Sequence, residues 1–161
     1  MLVTLGYSAY SSSLAINGEG LIRAISDIRI TNAQVAETGN LGRVNSNSSY
    51  AVKDFSSDIQ LRAVYSYVTF DITVTNLSSS NVLVTNIENK VFTNNLITYE
   101  LINLEINKTV IPAASEYTFQ VKFKFSNDTV GKLLGSSYEV LQEFFNGSSS
   151  NLKSTLEFTF Y

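Results

Sequence analysis

Asp54-Phe-Ser-Ser-Asp58 sets oxygen-bearing side chains at alternate positions, as the first half of a calcium-binding loop does. The glycine that should follow is Ile59, and the place of the bidentate glutamate is taken by Tyr65. Asp54 and Asp58 therefore read first as solvated carboxylates, with a calcium site left open as the weaker reading. Ser150-Asn-Leu-Lys153 has the serine–x–x–lysine spacing of some acyl-transfer enzymes, but it lies in a serine-rich stretch before a strand, not at a helix start under a cleft. The chain has no His and no Cys, so the usual nucleophile–base pairs and thiolate metal sites cannot be assembled. Fourteen acidic residues are present, and no spacing singles out two that would face each other across a sugar. Gly18-Glu-Gly20 and Gly39-Asn-Leu-Gly42 lack the strand–loop–helix setting of phosphate loops and read as turns. Tyr65 and Tyr67 either pack across strands or form an exposed aromatic surface for a glycan, and packing is the ordinary use. No catalytic residue, cofactor or metal ligand is assigned.

The elements that would carry such groups are strands. Tyr65 to Asn76 alternates Tyr67, Thr69, Asp71, Thr73 and Thr75 with Val68, Phe70, Ile72 and Val74, so one face is built to be buried. The loop Leu77–Asn81 leads to a second strand, 82–87, and the two read as antiparallel strands of a sandwich with a polar turn between them. In 117–125, Phe119, Val121, Phe123 and Phe125 oppose Thr118, Gln120, Lys122 and Lys124; at the end of the chain Leu156, Phe158 and Phe160 share a face. Further strands are expected over 13–20, 21–32 and 96–103, with a bulge near Ser26 where the apolar side of 21–32 changes. Val110 to Glu116 holds the single proline and reads as a turn. Glu37 to Asp58, polar and carrying Gly39, Gly42 and the Asn45–Ser49 cluster, reads as a long excursion. Between 129 and 146, Leu133, Leu134, Val140, Leu141, Phe144 and Phe145 follow a helical stripe that stops at Asn146-Gly147.

The fold class expected is all-β: an antiparallel immunoglobulin-like sandwich, or its jelly-roll variant, with a short helical insertion near 129–146. Its 161 residues suit one domain over 13–161, preceded by an apolar segment, 1–12. That segment lacks a basic start and is far shorter than the ~20 residues of a spanning helix, so no stable membrane span is expected. It reads as a first strand or as the tail of a signal peptide cleaved after Ala9. Charged residues are 16% of the chain and the net charge is -3, with eleven scattered basic residues, so a nucleic-acid partner is not expected. Five Asn-x-Ser/Thr sites, at Asn47, Asn76, Asn107, Asn127 and Asn146, are what an Asn- and Ser-rich bacterial chain contains by chance.

Ser13–Glu19, Phe70–Asn76, Val84–Ile87, Ile97–Leu101 and Val110–Phe119 together resemble the immunoglobulin-like modules of Gram-positive exported proteins, and distantly the camelysin and TasA biofilm-fibre proteins. Ser8-Ala9-Tyr10-Ser11-Ser12 looks similar to their signal-peptide junctions. The resemblance implies an extracellular or cell-surface protein of a Gram-positive-type bacterium. It also implies self-association, or association with other surface proteins, through a donated N-terminal strand running from Tyr10 through Ser12 and Leu14 to Ile16. The protease activity proposed for camelysin has no histidine here to support it. The reading is thus a non-enzymatic structural or adhesive module; a phage or virion decoration or fibre protein and a carbohydrate-binding module are the alternatives.

Overall fold

The computed structural model describes residues 27–45, 48–92 and 95–161, with residues 91 and 92 described by backbone alone. Among the described residues, ten strands and two helices follow in order: β1 (Ile28–Gly39), β2 (Gly42–Val44), β3 (Ser49–Tyr50), β4 (Asp54–Leu61), β5 (Tyr67–Asn76), β6 (Val82–Phe92), β7 (Ile97–Ile102), β8 (Val110–Ile111), β9 (Ser115–Phe125), α1 (Asn127–Leu134), α2 (Tyr138–Asn146) and β10 (Leu152–Phe160). The strands expected over 13–20 and 21–26, the bulge near Ser26, the segment 1–12 and the donor positions Tyr10, Ser12, Leu14 and Ile16 lie outside the described residues.

Two antiparallel sheets form: β1-β5-β9-β7, and β2-β4-β10-β6-β8 with β3 also on β4. From β4 to β10 the chain changes sheet at each strand, with β4, β6, β8 and β10 in one and β5, β7 and β9 in the other. This interleaving makes the molecule an antiparallel β-sandwich, the fold class that the alternation predicts. Its consequence for β5 and β6 is that they do not pair with each other; the Leu77–Asn81 loop carries the chain across the core.

The core follows from period-two alternation. Val68, Phe70, Ile72 and Val74 of β5, Phe119, Val121, Phe123 and Phe125 of β9, and Leu156, Phe158 and Phe160 of β10 are all buried. Phe55 of β4 meets Phe70 edge-on at 5.0 Å and stacks with Phe123 at 6.5 Å, and Phe119 meets Phe158 at 5.5 Å, so aromatic rings join the two layers. Ser57 and Ser154 also point inward, and they are tolerated because their hydroxyls bond each other at 2.7 Å. Where apolar residues fall three apart instead of two, the ladder bulges: Val84 pairs with Phe160 and Ile87 with Phe158, so the β6 side holds an extra residue.

The stretch Glu37 to Asp58 is a correction to the sequence reading. It holds the end of β1, the corner Asn40-Leu41 with φ of 50° and 70°, β2, β3 and the start of β4. β2 and β3 pair only with β4, at the rim of the sheet, and such pieces need no apolar alternation because little of them is buried. The turn at Val110–Glu116 is likewise shorter than expected: Val110 and Ile111 pair with Leu83 and Val82, and β9 already begins at Ser115.

The helices form where expected, over 127–134 and 138–146. Ser126 caps the first by accepting from Thr129 N and Ser137 the second by accepting from Val140 N. Gly135 and Gly147 end them. Leu133 is buried, Leu141, Phe144 and Phe145 pack against the core, and Phe144 reaches Phe125 at 5.6 Å. Leu134 and Val140 are exposed, so the apolar stripe is narrower than the sequence suggested. No helix among the described residues is long and apolar enough to cross a membrane.

At the far end of β5, Asn76 closes the sandwich. Its side chain is fully buried; Nδ2 donates to the carbonyls of Ser80 (2.9 Å), Ile111 (3.1 Å) and Pro112 (3.0 Å), while Oδ1 accepts from Ser78 N (3.0 Å) and Ser78 Oγ (2.6 Å). One amide thus ties the β5–β6 loop to the turn before β9, leaving no polar atom of its own unsatisfied.

Candidate functional site

The opposite end of β5, about 30 Å away along the strand, is open. A cleft of about 350 Å³ lies between the β4–β5 loop, the β1–β2 corner, the ends of β5 and β9, and the first turns of α1. Val64, Tyr65, Ser66 and Tyr67 line it together with Lys122, Lys124, Phe125, Asn40, Asn127 and Val130.

The alternation of β9 that buries Phe123 and Phe125 turns Lys122 and Lys124 outward, and the register places Lys124 opposite Tyr67. Lys122 Nζ stands 4.3 Å from the centroid of the Tyr67 ring, a cation–π contact. Lys124 is held by the carboxylate of Glu100 on β7, and that pairing lowers the Glu100 pKa, the hydrogen bond from Lys124 being the largest cause. Lys122 also lines the cleft and makes no salt bridge among the described residues, but it lies opposite Glu100 in the β7–β9 register and its charge adds to the lowering of that carboxyl's pKa.

Tyr67, half-buried at the cleft, is held by several contacts. Its hydroxyl donates to Glu37 Oε2 at 2.6 Å, which raises the phenol pKa. Its ring crosses Gly39, where any Cβ would collide with it, and its carbonyl occupies the space a Cβ on Gly42 would need. Asn40 and Ser66 lock the two loops together. Asn40 Nδ2 donates to Tyr65 O at 3.0 Å; Ser66 Oγ donates to Asn40 O and accepts from Ala63 N at 2.8 Å and Arg62 N at 3.2 Å. Tyr65 differs. It lies before β5, its side chain is 62% exposed, and its hydroxyl makes no hydrogen bond among the described residues. The two tyrosines that the sequence presents as a pair therefore have separate roles, Tyr67 as a packing residue and Tyr65 as an open surface.

The other sequence candidates do not join this site. Asp54 and Asp58 lie on β4, an extended strand that separates them by about 13 Å, so they cannot share one calcium ion as a loop would. Asp58 instead accepts from Asn45 Nδ2 at 2.9 Å. Among the described residues no group of three acidic or other metal-binding side chains gathers. Ser150 Oγ donates to Gly147 O at 2.6 Å within the turn after α2, while Lys153 is on β10, so the serine–x–x–lysine spacing spans a turn and a strand.

The cleft offers an aromatic surface, ammonium groups and carboxamides, groups whose chemistry suits stacking and hydrogen bonding. Its one serine hydroxyl is engaged by three backbone groups. Sequence reasoning missed Lys122 and Lys124, which read as the wet face of a strand; the outward parity they share was visible, but their facing Tyr67 depends on the β5–β9 register. No protein-family model, curated protein or solved structure matches the chain.

Proposed function

We propose that the protein is a non-enzymatic structural or adhesive module that acts at the cell surface or outside the cell, associating through its surface with copies of itself or with other surface proteins. The observation that supports this best is the condition of the outer face of the β1-β5-β9-β7 sheet. There Thr31 bonds Thr75 at 2.8 Å, Thr73 bonds Thr118 at 2.8 Å, and Gln120 donates to Asp71 at 2.8 Å. Short hydroxyls and amides locked across strands give a stiff, hydrated face on an aromatic core, suited to a unit that holds its shape while presenting a surface. Donation of the segment Tyr10–Ile16 to a neighbour is the assembly mode in this reading.

Size-exclusion chromatography with negative-stain electron microscopy, on chains beginning at Met1, Tyr10 and Glu19, tests it. Oligomers or filaments that form from Tyr10 and vanish from Glu19 are the expected result; monomers from all three would remove assembly by strand donation. A virion decoration or fibre role is favoured by one observation, the passage of the chain from one sheet to the other at successive strands, a trait shared with the jelly rolls of capsid and lectin domains. That support is analogy of fold alone.

A further inference from the structure

The geometry points to a specific ligand for the open end: we propose that the cleft between Tyr65 and Lys122 binds a sugar unit bearing a carboxylate, such as a uronic or sialic acid at the end or within the chain of a surface polysaccharide. This rests on the adhesive reading and names the chemistry of its contact.

Four features carry it. The volume, about 350 Å³, falls at the low end of small-molecule sites, about 300–1,000 Å³, and suits a short saccharide segment rather than a folded partner. Tyr65 is a large exposed side chain at the rim, able to lie against the apolar face of a pyranose ring while its hydroxyl meets the ring hydroxyls. Lys122 lies against the Tyr67 ring and makes no direct salt bridge among the described residues, Glu100 acting on it only at longer range, so its ammonium can receive a carboxylate without first breaking a contact ion pair. Asn127, at the first position of α1, adds a carboxamide to the lining, a donor and acceptor for sugar hydroxyls.

The surrounding structure holds these groups in place before any ligand arrives. Tyr67 cannot swing aside, being bonded to Glu37 and packed over Gly39, and the β4–β5 loop that carries Tyr65 is latched through Ser66 to Asn40. Glu100 engages Lys124 and also faces Lys122, so two ammonium groups and one carboxylate leave a net single positive charge, which favours a single carboxylate over a phosphate or a run of acidic groups. An extended acidic peptide would more naturally use a free sheet edge, whereas this cleft is framed by loops and a helix start.

Isothermal titration calorimetry on the full chain tests the proposal with trigalacturonate and sialyllactose, each beside its uncharged counterpart, the trigalacturonate methyl ester and lactose. At least one acidic ligand should bind, with its uncharged counterpart weaker by about tenfold, the discrimination of one charge-assisted contact. Tyr65→Ala should abolish binding, Lys122→Met should make the acidic and uncharged forms bind alike, and Tyr138→Ala, at an exposed tyrosine on α2, should change nothing. Rising salt should weaken the acidic ligand only. Failure of both acidic sugars to bind, binding that survives Tyr65→Ala, or tighter capture of tetraglutamate by the same residues would overturn it. A chain that binds neither sugar yet still assembles in the truncation experiment would lose this proposal and keep the structural one.

Discussion

The two ends of β5 use their polar side chains in opposite ways. At Asn76 every donor and acceptor of a buried amide is matched by backbone and serine partners, and the loop and turn that meet there are closed over it. At Tyr67, about 30 Å away, the strand ends in a ring fixed by Glu37 and Gly39, but the residues around it leave a cleft with an exposed tyrosine and a lysine outside any salt bridge among the described residues. A buried polar group matched on all sides stabilises one arrangement and has no capacity left for a ligand. A rigid site with partly unmatched groups at its rim does have that capacity, so the closed end serves the fold and the open end is where we propose that recognition occurs.

Substitutions can break this contrast, beginning with the largest effect. Asn76→Leu should cost about 3 kcal/mol in urea unfolding, because the carbonyls of Ile111 and Pro112 and the Ser78 groups lose a buried partner; a loss below about 1 kcal/mol would mean that the clasp is not what closes this end. Gly39→Ala should cost about 2 kcal/mol through the forced displacement of the Tyr67 ring, and near-ultraviolet circular dichroism should report the changed tyrosine environment. Unaltered stability and spectrum there would show that the ring is not fixed as described.

The Glu100–Lys124 pair should contribute less. Both side chains are more than a third exposed, so screening by solvent limits the pair to about 0.5 kcal/mol. Because the folded Glu100 carboxyl titrates below its ordinary value, that contribution is complete above the unfolded carboxylate pKa and is lost as pH falls through the folded one. Comparing the wild type with Glu100→Gln from neutral to acid pH should show a stability difference that vanishes at the acid end; a difference that grows on acidification would contradict the assigned direction. Smallest of all, Tyr65→Ala should leave stability within about 0.5 kcal/mol of the wild type, as expected for an exposed side chain outside the core. A large loss would make Tyr65 a packing residue like Tyr67.

Much of the closed sandwich was legible in the sequence, because burial on one face imposes alternation: Phe119 to Phe125 and Leu156 to Phe160 announce their inward sides directly. The helices were legible through the apolar stripe and the stop at Asn146-Gly147. Rim pieces were not. Gly42–Val44 and Ser49–Tyr50 bury too little to leave a pattern, so Glu37 to Asp58 resembled a loop, and the inward Ser57 interrupted the alternation of Phe55, Ile59 and Leu61 that would have exposed β4. Pairing was hidden as well, since β5 and β6 are neighbours in sequence and members of different sheets. The candidate site was the least legible feature, drawing on the β1–β2 corner, the β4–β5 loop, β9 and α1 at once, and only the register of β5 with β9 brings Lys122 to Tyr67.

Mapping backbone amide chemical-shift changes by nuclear magnetic resonance, while the isotopically labelled full chain is titrated with trigalacturonate and with sialyllactose, compares both ends in one experiment. The account predicts shifts at Tyr65, Ser66, Lys122, Lys124 and Asn127 with at least one of the two, and none at Asn76, Ser78 or Ser80. Shifts centred on the Asn76 end, or none anywhere with either sugar, would contradict it.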